Sequence, residues 1–197
     1  MADTLLRQDV DDAPLSSSKH SDAADRATHA LIEGKGDSIV GRSVTINRPR
    51  HELFAYYRDF GNLPTFMDNV VRIDVLDRTK SHWVVKAPAG QTVEWDATVT
   101  DEEEGRYIAW ASDKGADVPN SGRVDFSDAS GGRGTVVTAT ILYDPPGGVV
   151  GKVIAKLFQR EPAIQARRDL RRFKQLMETG EIATGSFTRA QRNEQEK

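Results

Sequence analysis

Two carboxylates placed two residues apart, Glu94 and Asp96, are the first candidates for acid–base chemistry in this sequence. Residues at positions i and i+2 of a strand share a face, so the pair could serve as a general acid and a general base. Their neighbours Val93, Trp95 and Ala97 form the better apolar face. This alternation favours a position in solvent for the two carboxylates.

Four further side chains could take part in proton transfer, but their positions form no recognisable motif. They are His82, Tyr107, Arg123 and Tyr143. The four histidines are scattered, and no two of them have the spacing of metal ligands. The sequence also contains no cysteine and no nucleophile-elbow motif. We therefore predict no metal site, no cofactor and no covalent nucleophile, and the catalytic residues of any reaction remain unknown.

The run PGGVVGKV, residues 146–153, is similar to a phosphate-binding loop. That motif needs glycine five residues before its Gly-Lys pair and serine or threonine directly after it. Here Pro146 and Val153 occupy those two places. Nucleotide binding is therefore not predicted.

The composition is typical of one soluble domain with polar extensions. The chain has 197 residues, of which 38% are hydrophobic, and a formal net charge of −3. This length allows a single domain with a substantial core. The small negative charge gives no general attraction to nucleic acid, so no nucleic-acid partner is expected. Since no stretch approaches the ~18 apolar residues of a membrane-spanning helix, and no signal peptide is apparent, we expect a cytoplasmic protein.

Between residues 43 and 143 the spacing of apolar residues changes from helical to strand-like. A short strand is predicted from Ser43, and Leu53, Phe54 and Tyr57 then recur at helical spacing, followed by a second, broken helix. From Val71 onward the period becomes two, with the turns DRTK, APAGQ, DEEEG, PNSG and SGGRG between successive runs. Strands joined by such short turns predict an antiparallel sheet with one apolar face.

Both ends of the chain are predicted to be largely disordered tails around a domain at residues 41–183. Residues 1–40 have eight acidic against four basic residues and no aromatic residue, and residues 184–197 are also polar. Segments of this composition bury too little apolar surface to offset the entropy of ordering.

The last strand is predicted to end at a sharp hinge that precedes the longest helix. The hinge is Pro145–Gly148, because proline cannot donate to a strand ladder and glycine allows the chain to turn back. Apolar residues then recur at helical spacing over residues 149–179, with Pro162 as an interruption and Gly180 as a C-terminal cap. Only this helix has enough apolar surface to cover the sheet.

This order of elements resembles the START/Bet v 1-like (SRPBCC) superfamily. The resemblance is carried by INRPRHELFAYYRDFGNLPTFM, VEWDATV, YIAWAS, SGRVDF, GTVVTATILYDPPGG and DLRRFKQLMETGEI, which together extend over residues 43–183. Within the superfamily the chain is similar to bacterial polyketide cyclase/dehydrase and coenzyme Q-binding START-type proteins. The resemblance implies an α+β helix-grip fold. In that fold a curved antiparallel sheet of six to seven strands wraps around a long C-terminal helix, with two short helices after the first strand.

The resemblance also implies a cavity between the sheet and the C-terminal helix. The first hypothesis is that this cavity binds a hydrophobic small molecule, such as a lipid, an isoprenoid quinone or a polyketide-like ring. The alternative is a cyclase or dehydratase that uses the same cavity, which requires at least two of the proton-transfer candidates to point into it. Its mouth is expected between Pro145–Gly151 and Gly61–Met67. The predicted lining comprises Val71, Ile73, Trp83, Val85, Trp95, Trp110, Phe126, Val137, Ile141, Tyr143, Leu157, Leu170 and Phe173.

The C-terminal helix also has an excess of basic residues, including Arg167, Arg168, Arg171 and Arg172. A solvated outer face is the ordinary explanation of such a pattern. The alternatives are weak contact with an anionic membrane surface or an acidic partner, or with the acidic N-terminal tail of the same chain.

Overall fold

The computed structural model describes residues 38–87, 90–143 and 162–183. Seven strands, two α-helices and two short 3-10 helices follow one another along these residues. They are β1 (Ser38–Ile46), α1 (Arg50–Arg58), a 3-10 helix (Phe60–Thr65), β2 (Val70–Val75), β3 (Lys80–Lys86), β4 (Thr92–Glu103), β5 (Tyr107–Ser112), β6 (Asn120–Asp128), a second 3-10 helix (Ser130–Gly132), β7 (Thr135–Tyr143) and α2 (Pro162–Thr179).

All seven strands belong to one antiparallel sheet with the order β1-β7-β6-β5-β4-β3-β2. Successive strands from β2 to β7 are neighbours, and β1 pairs with the last strand. This pairing extends from Ser38 opposite Tyr143 to Ile46 opposite Thr135. Strand β1 therefore begins five residues before the predicted Ser43, because β7 supplies hydrogen-bonding partners along its whole length.

One face of the sheet, which we call the inner face, is covered by the helices. Phe54 of α1 lies edge-on against Phe126 of β6, with ring centroids 5.7 Å apart. Phe173 of α2 lies 4.8 Å from Phe66 in the same core. All four rings are buried, so aromatic side chains fill the core between the helices and the inner face.

Helix α2 is fixed to β1 by polar contacts at its C-terminal end. The Lys174 ammonium donates to the Thr45 carbonyl at 2.6 Å, and the Arg48 guanidinium donates to the Met177 carbonyl at 2.6 Å. Gly180 has the left-handed φ of 78° expected of a C-terminal cap. The predicted hinge and the first part of the predicted helix, residues 144–161, lie outside the described residues.

The predicted α+β helix-grip fold is confirmed, with seven strands and two short helices after β1. Within the part of the chain that the structure describes, no helix combines the length and apolarity needed to cross a membrane.

Candidate ligand-binding site

Most of the predicted cavity lining is on the inner face of the sheet or on the face of α2 that covers it. The strand register and the core packing place ten of the thirteen residues there: Ile73, Trp83, Val85, Trp95, Trp110, Phe126, Val137, Ile141, Leu170 and Phe173. Nothing is described of Leu157 or of the side chain of Tyr143.

Val71 does not belong to this set, since 46% of it is exposed. The pairing of β2 with β3 is shifted by a β-bulge between Val70 and Arg72, so that Val70 lies opposite Val85 and Val71 is the extra residue. A bulge inserts one residue and changes which side chains reach each face. Val70 packs on the core in place of Val71.

The ten inner residues divide into a filled core and a more open wall. Phe126, Val137 and Phe173 are at most 3% exposed and pack among themselves and the helices. The three tryptophans and Ile141 are only partly buried. The open wall is therefore the part of the inner face that offers apolar surface to a small molecule.

Two of the tryptophans stack on adjacent strands. Trp83 of β3 lies directly opposite Trp95 of β4, with ring centroids 6.2 Å apart and planes 9° from parallel. The Phe60 ring lies 6.1 Å from the Trp83 ring, tilted by 55°. The Trp83 indole N–H donates to the Ser81 hydroxyl at 2.9 Å, so this indole leaves no polar atom unpaired on the wall.

The third tryptophan, Trp110, lies flat on Gly122 of the neighbouring strand β6. A Cβ atom at Gly122 would overlap the indole ring, so only glycine leaves room for it there. The Trp110 indole N–H donates to the Asn120 side-chain oxygen at 3.3 Å, and the Ser112 hydroxyl accepts from the Asn120 backbone N–H at 2.9 Å. Asn120, Ser112 and Gly122 were not predicted as site residues, although Gly122 interrupts an otherwise alternating strand.

The predicted acid–base pair is on the opposite, outer face of the sheet. His82 lies between the two carboxylates, with its Nδ1 2.8 Å from Asp96 and its Nε2 3.5 Å from Glu94. The hydrogen bond to Asp96 is the main cause of a raised pKa at His82, with smaller contributions from both negative charges. The predicted position of Glu94 and Asp96 in solvent is consistent with their exposure.

Tyr107 and Arg123 are also on the outer face. The Arg123 guanidinium stacks 3.6 Å from the centre of the Tyr107 ring, and its Nε donates to Asp125 at 2.8 Å. The Tyr107 hydroxyl donates to Asp101 at 2.8 Å, and this hydrogen bond raises the pKa of the phenol. Of the proton-transfer candidates whose side chains are described, none therefore reaches the inner face, and no three metal-binding side chains in the described ranges are grouped as a metal site requires.

One titratable group inside the domain was overlooked in the sequence. Asp169 is on the flank of α2 that faces the residues after the first 3-10 helix, where Gln165 donates to its carboxylate at 2.8 Å. Burial raises its pKa to about 7, although hydrogen bonds from Gln165 and the Asp68 backbone oppose the change. Its position four residues before Phe173 and three after Ala166, both buried, is the signal that could have revealed it.

Asp68, which lies beside Asp169, also contacts one of the four arginines of the predicted basic helix. Arg172 forms an ion pair with Asp68 at 2.6 Å, and its side chain is only 23% exposed. It therefore joins α2 to the end of the Gly61–Met67 segment. Arg168 and Arg171 are exposed.

A cleft of about 540 Å³ lies apart from the open wall. Its walls come from α1 and from the turns after β2 and β4, and they include Phe54 and Val75 beside the paired Arg58 and Glu102. It contains none of the thirteen predicted lining residues, and its charged rim distinguishes it from the open wall.

Comparison with known proteins agrees with this architecture. A family model described as "Polyketide cyclase / dehydrase and lipid transport" matches residues 39–178. No curated protein matches the chain.

Several solved structures have a similar fold. A Deinococcus radiodurans protein is 40% identical, with a TM-score of 0.61, over 74% of this chain and 100% of its own. A Thermus thermophilus protein is 22% identical, with a TM-score of 0.57, over 70% and 95% of the two chains. The ZhuI aromatase/cyclase of Streptomyces sp. R1128 is 13% identical, with a TM-score of 0.58, over 74% and 99%, which shows a shared fold. The predicted membership of the START/SRPBCC superfamily is thus confirmed, and the chain belongs to the polyketide cyclase/dehydrase and lipid transport family.

Proposed function

We propose that this protein binds a hydrophobic small molecule, such as a lipid, an isoprenoid quinone or a polyketide-like ring, against the open wall of its inner face. The observation that carries the proposal is the separation of chemistry between the two faces of the sheet. Three partly buried indoles and Ile141 are on the inner face, whereas the charged candidates are on the outer face.

The polar groups of the wall support binding by apolar contact. The indole N–H groups of Trp83 and Trp110 are satisfied by Ser81 and Asn120, and Asn120 itself donates to the Val118 carbonyl at 2.8 Å. A ligand without strong polar groups could therefore cover Trp83 and Trp110 and leave neither of these indole donors unpaired. The apolar area of the ligand would then supply most of the affinity.

The alternative function is a cyclase or dehydratase. Only one of the residues predicted to transfer protons for it remains a candidate for the inner face. His82, Tyr107 and Arg123 are on the outer face. Tyr143, whose side chain is not described, is the remaining candidate. A single phenol without a described partner is a weaker basis for proton transfer than a paired acid and base, so we favour binding over catalysis.

The test is a comparison of two tryptophan insertions, one on each face of the sheet. Ile141→Trp adds bulk to the open wall, and Ala111→Trp adds the same ring to the outer face of β5. Both variants and the wild type are first extracted and examined by native mass spectrometry for a retained apolar molecule. They are then titrated with a fluorescent fatty acid and with decylubiquinone, with quenching of intrinsic tryptophan fluorescence as the readout.

We expect Ile141→Trp to weaken probe binding roughly tenfold or more, equivalent to about 1.4 kcal/mol, because the ring occupies the ligand volume. Ala111→Trp should bind like the wild type, and circular dichroism establishes that both variants fold. Equal affinities in the two variants would refute the site. Turnover of a poly-β-carbonyl thioester that is abolished in Tyr143→Phe would instead favour the enzyme.

A further inference from the structure

The exposed apolar residues of the described chain are concentrated on one edge of the sheet. Val71, Val75 and Leu76 are 46%, 54% and 58% exposed, and they are the large hydrophobic residues that the described ranges leave in solvent. All three are on β2 or directly after it. Strand β2 is the last in the sheet order, so no strand of the described sheet pairs with its second edge.

We propose that this edge is an interaction surface for a second copy of the chain, which pairs through its own β2 in antiparallel orientation about Ile73. In that register Arg72 faces Asp74 of the second copy, and Val71, the extra residue of the β-bulge, lies at the end of the paired stretch near Val75. An exposed edge presents unpaired backbone N–H and C=O groups that can bind another strand. This interaction is separate from the ligand site proposed above.

The order of residues in β2 makes the pairing self-complementary. The sequence VRIDV, residues 71–75, is symmetric in size about Ile73 and opposite in charge, with a base before the centre and an acid after it. A two-fold interface brings residue i against residue j and residue j against residue i. Both ion pairs therefore form at once, and no like charges meet.

The charged side chains are already placed for this exchange. Arg72 Nε lies 2.9 Å from Asp74 within the same strand, with 59% and 49% of the two side chains exposed. Directly opposed cross-strand residues are about as close as neighbours on one strand face. Each arginine can therefore contact the second copy's carboxylate from its present position and remain exposed to solvent. Single-sign charges on an edge oppose association, whereas these alternating charges favour it between identical strands.

The experiment uses charge reversal in the full chain. Arg72→Asp and Asp74→Arg are each studied alone, as an equimolar mixture, and as the double variant R72D/D74R. Arg106→Asp is the control, because Arg106 pairs with Glu103 at 2.7 Å in the exposed turn between β4 and β5, outside the strand that is proposed to pair. Sedimentation velocity over a range of concentrations gives the dimerisation constant, and circular dichroism verifies folding.

We expect the wild type to dimerise reversibly, and each single reversal to weaken dimerisation about tenfold or more, because two attractive pairs become repulsive. The mixture and the double variant should recover dimerisation, since opposite charges again face each other in both cases. Arg106→Asp should have no effect.

A wild type that stays monomeric at all concentrations would overturn the proposal. So would a dimer that both single reversals leave intact, or a mixture that fails to recover. If the amides of residues 71–75 are protected from hydrogen exchange in a monomer, a segment of the same chain covers the edge, and the proposal is equally refuted.

Discussion

Replacing Asp169 by asparagine should make the protein more stable at alkaline pH and remove a specific part of its pH dependence. The carboxyl group has a pKa of about 7 in the folded protein against an ordinary value of 3.8, chiefly because burial disfavours its charge. A group whose folded pKa is raised stabilises the fold fully below its unfolded pKa. This contribution is lost as the pH rises through the folded pKa. The relevant window is therefore from about pH 4 to pH 7.

The size of the effect follows from the pKa difference. About three pKa units correspond to about 4 kcal/mol, and relaxation around the charge reduces this, so we expect a difference of about 2 to 4 kcal/mol above pH 7. Asparagine has nearly the same shape, and its oxygen can still accept the hydrogen bond from Gln165. At pH 4 the wild type and Asp169→Asn should have similar free energies of unfolding.

Urea denaturation at intervals between pH 4 and pH 8.5 measures the difference directly. Asp128→Asn is the matched control, because this carboxylate has a side chain 76% exposed and only a distant ion pair, 3.8 Å from Arg50. The free energy of unfolding of the control should change with pH in the same way as that of the wild type. If Asp169→Asn also runs parallel, or is the less stable protein at pH 8, the carboxyl group does not titrate in a buried site and the reasoning is wrong.

Two further predictions concern the two faces of the sheet. Gly122→Ala should lower the free energy of unfolding by about 1 to 3 kcal/mol and displace the Trp110 ring, seen as a shift in its fluorescence, because the new Cβ overlaps that ring. Gly41→Ala, a strand glycine whose nearest neighbouring atom would be 4.0 Å away, should cost much less, and equal losses would contradict the packing described. NMR titration of His82 should give a pKa above 6.5 in the wild type, and Asp96→Asn should lower it, since the hydrogen bond to Asp96 is the main cause of the increase. An unchanged pKa in the variant would mean that this bond does not form in solution.

The fold could be predicted because the spacing of apolar residues is a local property. The alternation in Val93–Val99, with polar residues between, indicates both the strand and the face that each side chain takes. For the same reason the outward position of Glu94 and Asp96 could be inferred from their neighbours alone. The order of β2 to β7 then followed from the short turns between them, whereas the pairing of β1 with β7 was not predicted.

The exceptions are features that depend on contacts between distant parts of the chain. The run VVRIDV contains apolar residues in both alternating positions, so the sequence does not indicate that Val70 and not Val71 reaches the core. Asp169 looks like one acid among the bases of a solvated helix. Its burial arises only when α2 packs beside Asp68, about a hundred residues earlier in the chain.

The pairing of the first strand with the last has a consequence for how the chain folds as it is made. During synthesis β1 emerges first, but its partner β7 follows only after the rest of the sheet, and α2, which holds β1 through Lys174 and Thr45, follows later still. Strands β2 to β7 can form hairpins in order as they leave the ribosome, whereas β1 has no neighbour until β7 has been made. Contacts so far apart in sequence slow folding and leave an unpaired strand exposed in the meantime. The first strand of the sheet to be made is therefore the last to be paired, and aggregation is favoured while that strand is unpaired.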